Sequence, residues 1–268
     1  ENIVDSYEGI DFRGLHLSNI DLGALVQIPD AINFSLYPTH INPNFNLNRD
    51  GVTLPYLQPK GILDLSNYTA SLAKFFNGVD LEKLILICNG PLPQKDLSYC
   101  FYNAIFNNES SITPITQNLG KVTNLDYCFY KTVVSIDILD QFTLNANATL
   151  NYAFGECKNI TSLDGLTITS SVASAEGMFY GCSIKDIINT KINTSGSCKA
   201  IFKNCKYLVN VENLEMPNTN NLSEAFQGCV RLTFLPFTNI SDRVKNITRM
   251  YYEGPSVDNI DGMVFGSG

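Results

Sequence analysis

The side chains of this 268-residue chain that could do chemistry are 8 cysteines, 2 histidines and 26 carboxylates. Nucleophilic catalysis needs a base within hydrogen-bond reach of a serine or thiol. The only imidazoles, His16 and His40, both fall in the first 60 residues, away from seven of the eight cysteines' regular spacing. A zinc site needs about four clustered thiolate or imidazole ligands. No CxxC occurs, and the closest cysteines in sequence, Cys198 and Cys205, are 7 residues apart. The carboxylate pairs Asp137/Asp140 and Glu212/Glu215 have the chemistry for general acid–base work, but in so acidic a chain they read as solvated. Neither a Walker loop nor a GxGxxG turn is present. The residues therefore point to no catalytic set, no cofactor and no metal, and the chain reads as a non-enzyme.

The cysteines instead follow a repeat. Eight segments share a block built around an aromatic residue: Phe76, Phe101, Phe129, Phe154, Phe179, Phe202, Phe226 and Tyr251, spaced 25, 28, 25, 25, 23, 24 and 25 residues apart. Within this column Cys100 and Cys128 sit one residue before the aromatic, and Cys198 four before. Cys157, Cys182, Cys205 and Cys229 sit three after. Elsewhere these positions hold Ala, Met, Val, Ile or Leu, so the cysteines read as small buried hydrophobes. An even count in a secreted chain also admits disulfides, and both readings stand at this level.

The block has apolar residues at −4, −1 and 0 relative to the aromatic, as in Leu125-Asp-Tyr-Cys-Phe129 and Leu150-Asn-Tyr-Ala-Phe154. Positions i, i+3 and i+4 share one face of a helix, which predicts a short helix per repeat. Gly78, Gly181 and Gly228, two residues beyond the aromatic, fit a helix end that needs positive φ. Alternating stretches such as Leu84-Ile-Leu86, Ile136-Asp-Ile138, Leu166-Thr-Ile168 and Leu214-Glu-Met216 predict short strands. The expected architecture is an α/β solenoid, a right-handed coil with parallel β-sheet on one face and short helices on the other. Residues 1–60, which include a Pro/Asn-rich stretch at 37–51, read as an N-terminal cap or degenerate repeat, and 61–268 as about eight repeats. The irregular segment 107–114 reads as a protruding loop.

Phe154…Cys157, Phe179-Tyr-Gly-Cys182, Phe202-Lys-Asn-Cys205 and Phe226-Gln-Gly-Cys229 resemble the BspA-like leucine-rich repeats, in which Phe is followed three residues later by Cys and then by spaced leucines. Leu63-Asp-Leu-Ser-Asn-Tyr68 resembles the strand phrase of a related variant. The likeness covers roughly residues 61–265 and departs from the pattern at Val79, Ala104, Thr132 and Gly254, where Cys would stand. It implies a leucine-rich-repeat fold, a surface-exposed or secreted adhesion role and no catalytic residues.

Net charge is −8 and no Lys/Arg-rich run occurs, which argues against nucleic acid. No stretch of about 20 apolar residues suggests direct membrane insertion. The chain opens on Glu1 without a basic-then-apolar leader, and we expect a mature or trimmed fragment. Nine Asn-X-Ser/Thr sequons, Asn108, Asn221 and Asn246 among them, serve either as glycan acceptors or as caps for loop backbone. The function expected is a non-catalytic binding or adhesion module, extracellular or at the cell surface. It would take a protein or glycan partner through the outward residues of the strand face, Asp137, Thr167 and Glu215, with Asp164 nearby. The alternatives are a structural component of a larger assembly such as a virion or tail, with end repeats stacking on a neighbour, and, least favoured, a hydrolase.

Overall fold

The computed structural model describes residues 32–35, 59–66, 68–69, 71–82, 84–232, 239–240, 242–254 and 264–265. Of the expected cap, only Ile32–Ser35, Pro59 and Lys60 fall among them, and His16 and His40 lie outside. The strands are β1 (Ile32–Ser35), β2 (Pro59–Asp64), β3 (Leu84–Ile87), β4 (Lys121–Asn124), β5 (Thr143–Thr149), β6 (Thr167–Val172), β7 (Asp186–Ile188), β8 (Lys191–Thr194), β9 (Asn210–Glu212), β10 (Asn239–Ile240) and β11 (Val264–Phe265). They form one three-stranded sheet, β1-β2-β3, and four separate two-stranded ones, β4-β5, β6-β8, β7-β9 and β10-β11, all parallel. Among the described residues helix is confined to α1 (Thr113–Thr116) and to 3₁₀ turns at Glu109–Ser111 and Ile136–Gln141.

This overturns the expected leucine-rich-repeat solenoid, and with it the family resemblance. Among the described residues there is no continuous curved sheet and no helix in any of the eight aromatic blocks. The chain is a mixed α/β domain of disconnected small sheets, with little helix and many turns.

The aromatic blocks show why the helix reading fails. In 150–157, Ala153 N–H donates to Leu150 O (3.2 Å), Gly155 to Tyr152 O (3.1 Å) and Cys157 to Phe154 O (3.2 Å). These are i→i−3 bonds, not the i→i−4 bonds of an α-helix. The N–H groups between them leave the block: Tyr152 donates to Glu176 O (2.7 Å), Phe154 to Met178 O (3.0 Å) and Glu156 to Tyr180 O (2.6 Å). Alternate donors are thus satisfied locally and by the block that follows, and none is orphaned. The geometry requires left-handed residues at −2 and +2. Lys74, Tyr99, Tyr127, Tyr152, Gly177, Ala200, Glu224 and Arg249 supply the first (φ 53–61°), and Gly78, Asn103, Lys131, Glu156, Gly181, Asn204, Gly228 and Glu253 the second. The glycines at +2 do take positive φ, but they end a tight turn rather than a helix.

A run of serine, threonine and carboxamide or carboxylate residues starts each turn. Asn124 Oδ1 accepts from Asp126 N–H (2.9 Å), Ser197 Oγ from Lys199 (3.1 Å), Asn221 Oδ1 from Ser223 (2.9 Å) and Asn246 Oδ1 from Thr248 (2.9 Å). Asn108 does the same for Ser110 (3.0 Å). The sequon asparagines 108, 221 and 246 therefore cap backbone. Such residues favour helix N-caps and Asx turns alike, so their presence did not separate the two.

Stacking the blocks builds the core. The rings of Phe76, Phe101, Phe129, Phe154, Phe179, Phe202, Phe226 and Tyr251 form one column with neighbouring centroids 5.3–5.9 Å apart. Leu72, Leu97, Leu125, Leu150 and Leu222 pack along one side, all buried. In segment 107–114, expected to protrude, Asn107, Asn108 and Ser110 are exposed, Ile112 is buried, and Glu109 Oε1 accepts from the N–H of Ser135.

A single non-glycine residue in the left-handed region costs roughly 1–2 kcal/mol. Lys74, exposed and at φ 60°, tests the turn geometry. Lys74→Gly is expected to raise stability by up to about 1 kcal/mol in urea unfolding, because it removes that strain. In a helix interior the same change would lower stability by about 1 kcal/mol.

Candidate functional site

The four residues expected to form a binding face do not form one. Asp137 lies in the 3₁₀ turn Ile136–Gln141, so its segment is not a strand. Asp164 lies in a turn before β6. Thr167 opens β6 and pairs with Lys191 of β8, which in turn bridges to Glu215, so those two do share a line across neighbouring coils. Lys191 Nζ lies 2.8 Å from Glu215 Oε2. Both partners of that ion pair are exposed, and such pairs contribute about 0–1 kcal/mol. Disconnected sheets of two or three strands offer no extended strand face, which corrects the proposed adhesion surface.

Four of the eight cysteines, Cys157, Cys182, Cys205 and Cys229, form a second column beside the rings. All eight are buried and unpaired. The thiols of Cys157, Cys182, Cys205 and Cys229 donate to the carbonyls of Phe129, Phe154, Phe179 and Phe202, each in the preceding block, at 2.9–3.1 Å. Each carbonyl also accepts a local N–H, and at Phe154, Phe179 and Phe202 the thiol fills the second lone pair. Thr132, where the pattern wants Cys, donates its hydroxyl to Phe129 O (2.7 Å). Burial pushes Cys157 up to about 11 and Cys198 and Cys229 up to about 12, and pushes Cys100, Cys128, Cys182 and Cys205 well up too. A protonated, inaccessible thiol is neither nucleophile nor metal ligand. Among the described residues no three His, Cys, Asp or Glu side chains gather to hold a metal, and no helix is long and apolar enough to cross a membrane.

The surface feature that sequence reading missed is aromatic. Tyr99, Tyr127 and Tyr152, all at −2, stack with centroids 4.8 and 4.9 Å apart and planes 8° from parallel. Tyr102 and Tyr130, at +1, stack at 5.2 Å and 5°. Tilted contacts of 5.6–6.4 Å join the two rows, and Tyr180 adds a tilted contact to Tyr152. All six rings are half-buried. The rows end on glycines that the last rings lie over. A Cβ on Gly177 would stand 2.3 Å from the Tyr152 ring, and one on Gly155 2.5 Å from Tyr130.

Ring faces between neighbours in each row cover one another. The Tyr180 hydroxyl accepts from Asn204 Nδ2 (2.9 Å). Those of Tyr99, Tyr102, Tyr127, Tyr130 and Tyr152 have no hydrogen-bond partner among the described residues. Desolvation, then neighbouring Tyr152 and Tyr99, raises Tyr127 to about 12; desolvation followed by Glu156 raises Tyr130, and desolvation followed by Glu176 raises Tyr152. Beyond the tyrosines the face turns charged. Lys203 Nζ lies 2.6 Å from Glu224 Oε2 and Lys199 3.7 Å from Oε1, and the Lys203 hydrogen bond holds the Glu224 carboxyl below its usual range. The signal for this site was in the sequence as tyrosine recurring at −2 and +1. The helical reading placed those positions on an undistinguished solvent face.

Comparison with family models, with curated proteins and with solved structures finds no match. The expectation of a surface or secreted location came from the family resemblance, and no relative replaces it.

Proposed function

We propose that this chain is a non-catalytic recognition protein that holds a partner protein against the tyrosine rows of its turn face. One observation carries the reading: five phenol hydroxyls, without hydrogen-bond partners among the described residues, stand on two pre-stacked and adjoining rows. Tyrosine is enriched where proteins meet, because it offers a large rigid contact with one polar end. Stacked rings have little rotamer freedom left to lose on binding. The raised phenols stay protonated through neutral pH, so each can both donate and accept. A glycan is less well served, since sugar rings stack on aromatic faces and most of these faces cover one another. Net charge of −8 sets nucleic acid aside.

Peptide-display selection against the intact chain tests it, with Tyr127→Phe/Tyr130→Phe as counter-screen. That variant keeps both stacks and removes two hydroxyls, so its thermal midpoint should stay nearly unchanged. Selected peptides should bind it several-fold more weakly, in line with about 0.5–1.5 kcal/mol per lost hydrogen bond. Peptides that bind both proteins equally would sink the proposal.

A further inference from the structure

Asparagine is a chemically labile residue, most of all before glycine. The amide nitrogen of the next residue can attack the side-chain carbonyl carbon, and glycine, lacking a Cβ, hinders that approach least. The chain holds two such pairs, Asn77-Gly78 and Asn89-Gly90. The fold treats them oppositely.

The first pair is locked into the junction between the first two blocks. Gly78 N–H donates to Tyr102 O (2.8 Å), so the nitrogen that would attack is held by the neighbouring block. Asn77 N–H donates to Lys74 O (3.2 Å), and the side-chain oxygen of Asn77 is buried. Attack here requires the turn to open first. The second pair lies in a bend between β3 and the second block. The chain is pinned on either side of it. Asn89 N–H donates to the Ser66 hydroxyl (2.8 Å), Cys88 O accepts from Asn118 Nδ2 (3.1 Å), and Leu92 N–H donates to Asn118 O. Between the pins, Asn89 is exposed and its side chain makes no hydrogen bond among the described residues. The N–H of Gly90 has no acceptor among them either. Chain neighbours aside, nothing lies within 4 Å of the position a Cβ on Gly90 would take, which leaves room for a ring and for water.

We propose that Asn89 is a self-modification site, at which the folded chain converts asparagine to aspartate and isoaspartate while Asn77 is preserved. The Gly90 nitrogen gives up its proton and bonds to Asn89 Cγ. The Cγ–Nδ2 bond breaks, and Nδ2 leaves as ammonia, carrying the equivalent of that proton. Water then opens the cyclic imide. Breaking the bond from nitrogen to Cγ leaves aspartate, and breaking the bond from nitrogen to the main-chain carbonyl carbon leaves isoaspartate. Water is the only co-reactant. Either product adds a negative charge close to Ser66, whose hydroxyl already donates to Asp64. Isoaspartate also inserts one carbon into the main chain between the two pins, where Gly90 O accepts from the Cys88 thiol (3.2 Å).

The test holds the full chain at neutral pH and body temperature for days and follows both sites by peptide mapping with mass spectrometry. Asn89 is expected to convert steadily while Asn77 lags by about tenfold or more, because its attack waits for a junction bond to open. Isoelectric focusing should show an acidic satellite band growing at the same rate. The band should be missing from Asn89→Gln, whose longer side chain closes a larger ring far more slowly. In urea, with the junction open, the two sites should convert at comparable rates, which ties the difference to the fold. No conversion at Asn89, equal rates at the two sites in the folded chain, or an acidic band that persists in Asn89→Gln would overturn the proposal.

Discussion

Urea unfolding at a series of pH values is expected to show stability level from neutrality to about pH 8 and then collapsing between about pH 8.5 and 10. The buried thiols are the cause. In the unfolded chain each thiol ionises near about 8.5. In the folded chain burial holds Cys157 near about 11, Cys198 and Cys229 near about 12, and Cys100, Cys128, Cys182 and Cys205 well above the ordinary value. Below the unfolded value both states hold their protons, and the thiols give no pH dependence. Above it the unfolded state loses protons that the folded state keeps, so stability falls as pH rises until the folded values are reached. One fully buried thiol contributes about 1.4 kcal/mol per pH unit. Seven acting together would remove several kcal/mol per unit, a large part of a typical total of about 5–15 kcal/mol. Replacing Cys157, Cys182, Cys205 and Cys229 with Ala should flatten the slope by roughly half while lowering stability at neutral pH. A stability curve flat to pH 10 would mean that the thiols are not sequestered as their burial indicates.

The sequence made the aromatic column legible. The spacing of Phe76 to Tyr251 and the burial of −4, −1 and 0 all follow from apolar residues recurring at a fixed interval, and every one of those side chains before Ile247 is in the core. The conformation that buries them was not legible. Apolar residues at i, i+3 and i+4 satisfy a helix, but they equally satisfy a tight turn whose remaining donors reach a neighbouring block. Only the positive φ at −2 and +2 separates the two, and side chains as ordinary as Lys74, Tyr127 and Glu224 occupy those positions. Local propensity says nothing of acceptors supplied from 24 residues away. The same error hid the site. Tyr99, Tyr127 and Tyr152 fall on the solvent side of a notional helix, whereas stacked turns bring neighbouring rings to centroid separations of 4.8 and 4.9 Å. Conversely, Asp137 and Glu215 were placed on one face by assuming strands at 136–138 and 214–216. The first is a 3₁₀ turn and the second a lone bridge.

Close approach between blocks gives a second large expected effect, and it separates two glycines that look alike in sequence. A Cβ built on Gly196 would stand 2.0 Å from the carbonyl oxygen of Ala173, a backbone atom that cannot rotate away. The loop there is pinned from both sides. Ser195 N–H donates to Val172 O (2.9 Å), and Gly196 O accepts from Asn220 N–H (3.0 Å) and from the Thr219 hydroxyl (3.0 Å). Gly196→Ala must therefore separate two blocks and break junction bonds, and a loss of about 3 kcal/mol or more is expected in urea unfolding, at the upper end of overpacking effects. Gly165 has nothing within 4 Å of its Cβ position but holds φ 73°. The next blocks carry Asn189 and Asn213 at the corresponding place, with φ 49° and 50°, joined side chain to side chain at 2.9 Å. Gly165→Asn should accordingly be tolerated within about 0.5 kcal/mol, since Asn accepts the left-handed region at little cost, and it extends that asparagine ladder by one member. Equal losses at the two positions would show that φ rather than contact between blocks governs glycine here. A benign Gly196→Ala would show that the blocks sit further apart than the stacking of Phe179 on Phe202, at 5.8 Å, requires.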